Sequence, residues 1–384
     1  MKHLTTLLFS LIIAFSFSQN RPQEPKAPFS YTSEEVTFVN TYANNIKFSG
    51  TLTLPKDVSK PPVAILISGS GPQNRNEELA NHKPFLVISD YLTNNGIAVL
   101  RYDDRGTAKS EGDFNTASSY DFSLDAEAAV AYLKSRNDVD TNKIGLIGHS
   151  EGGLIAPMIA SRNKDIAFIV LLAGTGVNGK TILETQTRRG AELAGAPKAA
   201  LDANEALTNI IYGVVVKYSN FEMIQTEIKT GLNNYKIQNP DALYSNLIND
   251  TFINQQINAI KPIWLQYFIR TDPKEFLSKT HCPVLALNGS KDTQVNAKIN
   301  QEAIRQALIK GQNKNYKIVE LENLNHFFQE CETGKMDEYR KIEQTFSPTA
   351  LNEIKKWVIE PSVEQINKIT PMQVEWTQKK TGRK

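Results

Sequence analysis

Apolar and polar residues alternate from Ile46 to Leu54, through Phe48, Gly50 and Leu52 on one side and Lys47, Ser49, Thr51 and Thr53 on the other. That period of two predicts a strand with one buried face. A shorter strand-like run, Glu35 to Val39, precedes it across a turn containing Asn44-Asn45, so an antiparallel hairpin is expected at the start of the domain. Beyond it the alternation gives way to continuous apolar runs at Val63–Ile67, Ile97–Leu100, Ile144–Ile147 and Ala167–Leu172. Strand patterning returns at Pro283–Leu287 and Tyr316–Leu321. Runs apolar on both faces belong to parallel strands covered by helices. Helices are expected between them: Leu124 to Leu133 with Asp121 or Ser123 as cap, and a later one whose Ile299, Ala303, Ala307 and Leu308 share a face. A last helix is capped by Ser347, has Pro348 in its first position and sets Leu351, Ile354 and Val358 on one side. The repeated order of strand, loop and helix predicts an α/β chain with a doubly wound, mostly parallel sheet.

That rhythm stops from Val177 to Pro262, where the chain turns polar, helix-like and rich in Asn, Gln and Lys. This stretch reads as a helical cap inserted into the core. The expected organisation is a signal peptide at 1–18, a leader linker at 19–34, two parts of one core at 35–176 and 263–360, the cap insertion at 177–262 and a tail at 361–384.

Composition narrows the function classes. Hydrophobic residues at 40% and charged residues at 22% describe a chain able to build a sizeable core. The formal net charge of +2 is spread along the chain, so no footprint for nucleic acid or an anionic membrane stands out. The basic cluster Lys379, Lys380, Arg383 and Lys384 reads as a solvated tail. Lys2 and His3, the apolar run Leu7 to Phe17 and then Ser18-Gln19-Asn20 match a cleavable secretory leader, with cleavage placed near Ser18. Export to the periplasm or beyond is therefore expected, without stable membrane insertion of the remaining chain. Cys282 and Cys331 are the two cysteines, too few for a Cys-rich metal site and not at the leader boundary where a lipid anchor needs one. Whether they pair with each other stays open at this stage.

The candidate chemistry sits just after the run Ile144–Ile147, in Gly148-His149-Ser150-Glu151-Gly152. This is G-x-S-x-G between a strand and a helix, a sharp turn that exposes the serine oxygen at the carboxyl edge of a sheet. Gly148 and Gly152 spare the turn the Cβ atoms that would collide there. The following helix start favours a developing oxyanion. A serine needs a base and a group to orient it. His3 lies in the leader, His82 precedes the serine, His149 adjoins it, and His281 leads into a strand at the wrong end. His326 remains, after the strand Tyr316–Leu321, and Asp292 follows the strand ending at Leu287 in the same way. Glu320 and Glu322 rank below Asp292.

With these residues in place, the stretch from Glu35 to Glu360 resembles the α/β-hydrolase superfamily, and within it bacterial serine esterases and serine aminopeptidase-like hydrolases. The resemblance implies Ser150 as nucleophile, Asp292 as acid and His326 as base. Ser68-Gly69-Ser70-Gly71-Pro72-Gln73 is similar to the oxyanion loop, which implies backbone N–H donors at Ser70 and Glu151. Ser68 stands where many relatives carry His. Asp103-Asp104-Arg105-Gly106 is similar to a loop that shapes the pocket floor, with Asp104 and Arg105 expected to pair within it.

The expected activity is hydrolysis of carboxylic esters with short acyl chains by an acyl-enzyme route, with no metal or organic cofactor. The expected partner is a small-molecule ester, an acylated sugar being one candidate, and no oligomeric state is indicated. An exported serine peptidase is the alternative, for which Glu184, Arg188 and Arg189 are available as anchors. A non-catalytic binding protein on the same fold is the second alternative.

Overall fold

The computed structural model describes residues 21–360, so the expected leader at 1–18 and tail at 361–384 lie outside the described residues. Strands β1 (Thr32–Asn40) and β2 (Ile46–Leu54) form the antiparallel hairpin, with Asn44 and Asn45 both left-handed in its turn. Asn tolerates that conformation better than most residues, which is why it marks the turn. Six further strands follow: β3 (Val63–Ile67), β4 (Ala98–Tyr102), β5 (Ile144–His149), β6 (Phe168–Leu172), β7 (Val284–Gly289) and β8 (Tyr316–Leu321). The spatial order is β1-β2-β4-β3-β5-β6-β7-β8, antiparallel at the first two pairings and parallel from β4 onward.

Helices α1 (Pro84–Asn94), α2 (Ser119–Lys134) and α3 (Gly152–Ala160) follow β3, β4 and β5. Between β6 and β7 come α4 (Gly179–Leu193), α5 (Lys198–Lys217), α6 (Phe221–Gln238), α7 (Asp250–Ile260), α8 (Ile263–Arg270) and the short α9 (Lys274–Leu277). Helix α10 (Ala297–Lys310) connects β7 to β8, and α11 (Met336–Tyr339) and α12 (Pro348–Ile359) close the chain. One face of the sheet packs on α2, α3 and α10 through residues such as Leu133, Ile155 and Leu308. The other packs on α1 and α12 through Ile88, Leu92, Ile354 and Trp357. Covering both faces is what the continuous apolar strands require.

Two local expectations are corrected. Helix α2 begins at Ser119, before the expected Leu124, and its cap is Ser118; Asp121 sits three residues on and accepts from the Ser118 N–H (2.8 Å) and hydroxyl (2.7 Å). The reciprocal pairing of these two residues extends the helix one turn toward the N-terminus. On α10 the buried face runs through Asn300, Ile304, Ala307 and Leu308 while Ile299 is exposed. Two polar residues, Asn300 and Gln301, occupy core-facing positions there because each has a backbone partner, which hydropathy alone does not show. Helix α8 (Ile263–Arg270) directly follows the stretch 177–262 expected as the cap.

The inserted helices have a core of their own. Ile224, Ile228 and Leu232 of α6 recur every four residues and meet Leu207 and Ile211 of α5 and Ile253 of α7. Burying each of these side chains is worth about 1.5–3 kcal/mol. A smaller cluster joins the insertion to the sheet layer, with Ile182 of α4 and Phe268 of α8 against Leu154 and Met158 of α3. Among the described residues no helix is long and apolar enough to cross a membrane.

Candidate active site

The parallel strands end level with one another, since Ile67 pairs with Gly148 and His149 with Leu172. The loops leaving their carboxyl ends therefore meet at one edge. Ser150 leaves β5 with φ of +52°, a left-handed conformation unusual for serine. Its N–H donates to the Leu172 carbonyl (2.8 Å) and its own carbonyl accepts from Gly153 (2.9 Å). The turn closes so tightly that a Cβ on Gly148 would lie 2.0 Å from the Gly152 carbonyl oxygen, and one on Gly152 2.2 Å from that of Ile67. Only glycine fits either position.

The loop after β7 carries Asp292 and the loop after β8 carries His326, both buried. His326 Nδ1 lies 2.8 Å from Asp292 Oδ2, while Asp292 Oδ1 accepts the Gln294 and Val295 N–H groups at 2.8 Å each. The carboxylate is thus fixed before it meets the imidazole. Ser150 and His326 line one cavity of about 260 Å³ beneath α4 and α8, whose Ile182, Leu183, Trp264 and Phe268 form its roof. Three expected residues from distant parts of the chain thereby meet at one site.

The expected oxyanion loop after β3 borders the same cavity through Gly69 and Ser70. Ser68, in place of His, donates its hydroxyl to Asp104 Oδ1 (2.7 Å), and Asp104 Oδ2 accepts the Gln73 N–H (2.9 Å). Desolvation pushes the Asp104 carboxyl up to about 8, with the nearby Glu77 and Glu151 charges adding to it against those hydrogen bonds. Among the described residues no acceptor takes the backbone N–H of Ser70 or Glu151. The expected pairing of Asp104 with Arg105 is not formed. The two neighbours point to different elements, and Arg105 reaches Asp125 on α2 (2.6 Å), which also accepts from Asn40 (2.6 Å).

Sequence reasoning passed over Glu77, His149 and the side chain of Glu151. All three are buried at the cavity wall. Glu151 Oε1 accepts from the Ser119 hydroxyl (2.6 Å) and the Trp264 indole N–H (2.7 Å), tying the elbow to α2 and to the inserted α8. Burial raises its carboxyl above the usual range. Their spacing in sequence carries no signal, because each partner comes from a separate element.

The proposed peptide anchors lie elsewhere. Arg188 is engaged by Glu192 and Glu205 on the outer surface, Glu184 is paired with Lys180, and none of Glu184, Arg188 and Arg189 lines the cavity beside Ser150. Cys282 and Cys331 are unpaired, and burial pushes the Cys282 thiol up to about 12. Among the described residues no group of three or more His, Cys, Asp or Glu side chains is placed to hold a metal ion.

Comparison with known proteins supplies the family. A family model described as Serine aminopeptidase, S33 matches residues 83–326, more than half of the chain and the whole span from the first core helix to His326. The chain belongs to this serine aminopeptidase, S33 family. Among curated proteins this S33 family member is 26% identical to Esterase EstD of Thermotoga maritima over 81% of its own length. It is 30% identical to an acyl transferase of Shewanella woodyi over 40% of its length. The chain spans 65% of EstD and 48% of that acyl transferase.

Two solved structures share the fold at 17% identity. DcsB, in complex with its substrate analogue, superposes with a TM-score of 0.52 over 87% of this chain and 100% of its own. The Pyrococcus furiosus esterase Pf2001 gives 0.50 over 89% and 97%. Both likenesses concern the α/β-hydrolase fold of the family. A second model, Initiator Rep protein, WH2, matches residues 335–384; in the described part of that span, α12 packs on α1 and β7.

Proposed function

We propose that this family member is a serine hydrolase that cleaves carboxylic esters with short acyl groups. The observation that carries the reading is the joint opening of Ser150, on its strained turn, and His326, held by Asp292, onto one small cavity. His326 Nε2 takes the proton of Ser150 Oγ as that oxygen attacks the ester carbonyl, while Asp292 keeps the Nδ1 proton of the imidazole in place. The Ser70 and Glu151 N–H groups, without an acceptor among the described residues, hold the tetrahedral oxyanion, and loss of one such donor costs about two to three orders of magnitude in turnover. Collapse expels the alcohol, which takes its proton from His326. Water, deprotonated by the same imidazole, then releases the acid.

The volume of about 260 Å³ and the apolar roof of Ile182, Leu183, Trp264 and Phe268 favour a short acyl group. Gln73, Gln186 and Gln294 line the same cavity and suit a hydroxylated alcohol such as a sugar. The name of EstD supports ester chemistry. Against peptide substrates, Glu77 Oε1 is taken by Gly69 and His149 and Glu151 Oε1 by Ser119 and Trp264, while Glu151 Oε2, without a partner, is buried and closed to an incoming amino terminus. Export through the leader remains part of the proposal and is tested by fractionating cells that express the chain with and without residues 1–18.

The deciding test is a panel of p-nitrophenyl esters of increasing chain length beside aminoacyl anilides. Cleavage of acetyl and butyryl esters, falling steeply at longer chains, is expected. Cleavage of anilides alone would replace the reading by a peptidase, and transfer of the acyl group to an added alcohol in preference to water by an acyl transferase.

A further inference from the structure

The nucleophile's neighbour His149 belongs to a second carboxylate–imidazole pair. Its Nδ1 lies 2.8 Å from Glu77 Oε1, and both side chains are almost fully buried. The same Glu77 oxygen accepts the Gly69 N–H at 2.7 Å, on the loop that carries Ser70. At the far side of the ring, His149 Nε2 lies 2.9 Å from the backbone carbonyl oxygen of His326. The two imidazoles are tilted neighbours with centroids 4.8 Å apart. There is no slack around this junction: a Cβ on Gly69 would stand 3.2 Å from Ser150 Cβ and 3.3 Å from Glu77 Oε1. Glu77 itself is held at φ of +51°, a strained conformation for a non-glycine residue that persists only where the surroundings enforce it.

The protonation of the pair follows from its acceptors. A carbonyl oxygen only accepts, so His149 Nε2 carries a proton. Nδ1 faces a carboxyl oxygen that already takes one N–H, so a second proton is shared within the pair, which is then neutral overall. Burial disfavours the charged ring, but the Glu77 charge and hydrogen bond and the His326 carbonyl outweigh it and raise its affinity for the proton.

We propose that Glu77 and His149 are positioning residues for acyl transfer: through Gly69 they set the loop bearing the Ser70 N–H, and through the His326 carbonyl they set the loop bearing the base. The inference rests on the ester-hydrolase reading of Ser150 and His326. The pair does this without placing net charge beside an imidazole that must itself become cationic during the reaction. A lone His149 cation would oppose that step, and a lone Glu77 carboxylate would favour the protonated resting base. The other titratable groups packed about the pair and His326 are Asp292, Asp104, Glu151 and Tyr339, and all of them stay in place in the test below.

The test compares the full chain with Glu77→Gln, His149→Gln, the double variant and Ser150→Ala, using a short-chain p-nitrophenyl ester across the pH range. Glu77→Gln is expected to lower kcat by about 10- to 100-fold with KM changed less than about threefold, the scale of losing a residue that orients another. His149→Gln leaves the carboxylate alone and is expected to move the acidic limb of kcat/KM upward by about one pH unit. The double variant is expected to restore the limb while kcat stays low. A purely structural role predicts lost activity with no limb shift and no restoration, and that result overturns the proposal. So do single variants with unchanged kcat and pH profile. If a single variant does not fold, the variants that do fold decide: a limb shift in His149→Gln, or in the double variant a limb at its unsubstituted position with kcat lowered at least about tenfold, supports the proposal, and an unchanged kcat or a limb displaced in the double variant overturns it. In the unsubstituted chain, imidazole ¹⁵N resonances should show His149 Nε2 protonated, and an unprotonated Nε2 contradicts the pair. Full activity in Ser150→Ala sinks the ester-hydrolase reading itself, a failure distinct from either of these.

Discussion

At the carboxyl edge of the sheet the ionisable groups are buried, and each is held by partners from another element. Asp292 receives two backbone N–H groups and His326, Glu151 bridges α2 and α8, and Asp125 joins Arg105 to Asn40. Among the helices between β6 and β7, Arg188 of α4 pairs at the surface with Glu192 of its own helix and Glu205 of α5, and the half-buried Arg270 of α8 bonds the Val215 and Tyr218 carbonyls. There the apolar core of Ile224, Ile228 and Leu232 carries the stability, and Val216, Ile237, Leu247 and Ile263 are left exposed. The contrast separates two tasks. Buried, multiply held charges fix reacting geometry, because each unpaired group there costs the full desolvation penalty. The core of α5 to α7 lies apart from that geometry, since Ile224, Ile228 and Leu232 do not line the cavity, whereas Trp264 of the roof is tied to it through Glu151.

The largest effect is expected where the buried network holds His326, the proposed base. Asp292→Asn removes the charge that holds the His326 tautomer, and kcat for a short ester should fall by about four orders of magnitude. A fall below about tenfold would detach Asp292 from the reaction. In the insertion, Ile228→Ala should cost about 2–5 kcal/mol. Hydrogen exchange should show this as earlier opening of α5 to α7 while β5 and β7 keep their protection. Uniform loss of protection would mean that the two regions unfold as one.

How much of this contrast was legible in the sequence depends on distance along the chain. The runs Val63–Ile67 and Tyr316–Leu321 became strands with the expected bounds, the first because its apolar residues are all buried in the sheet, the second as an edge strand with Leu321 alone of the six buried. Ser150, Asp292 and His326 could be located because each directly follows a strand, and the parallel order then brings them to one edge. The cap of α2 was misplaced because Ser118, Asp121 and Ser123 all have capping chemistry and only backbone geometry chooses among them. Asp104 and Arg105 were joined as neighbours, yet successive side chains leave the loop in different directions, one to Ser68 and one to Asp125. Glu77 and His149 were missed because they are 72 residues apart and no local pattern marks a buried ion pair.

A smaller effect tests the support of the loop after β3. The folded Asp104 carboxyl keeps its proton up to about 8, whereas its ordinary value is 3.8. Between these the unfolded chain binds fewer protons, so this group's contribution to stability declines as pH rises through that window. Urea unfolding at several pH values should show a flatter dependence in Asp104→Asn, and an unchanged slope would remove Asp104 from the account. The smallest effect belongs to the surface of the insertion. Arg188→Ala should alter stability by less than about 1 kcal/mol in thermal unfolding, since exposed pairs contribute little. A larger loss would show that its ion pairs act as a network.

The most direct measurement is covalent labelling with a fluorophosphonate, mapped by mass spectrometry and run beside ester hydrolysis in the unsubstituted chain and in Ser150→Ala. The account predicts a single adduct on Ser150, hydrolysis by the unsubstituted chain, and in the variant no adduct and a kcat lower by about six orders of magnitude. Labelling at another residue, or ester hydrolysis undiminished in Ser150→Ala, would contradict it.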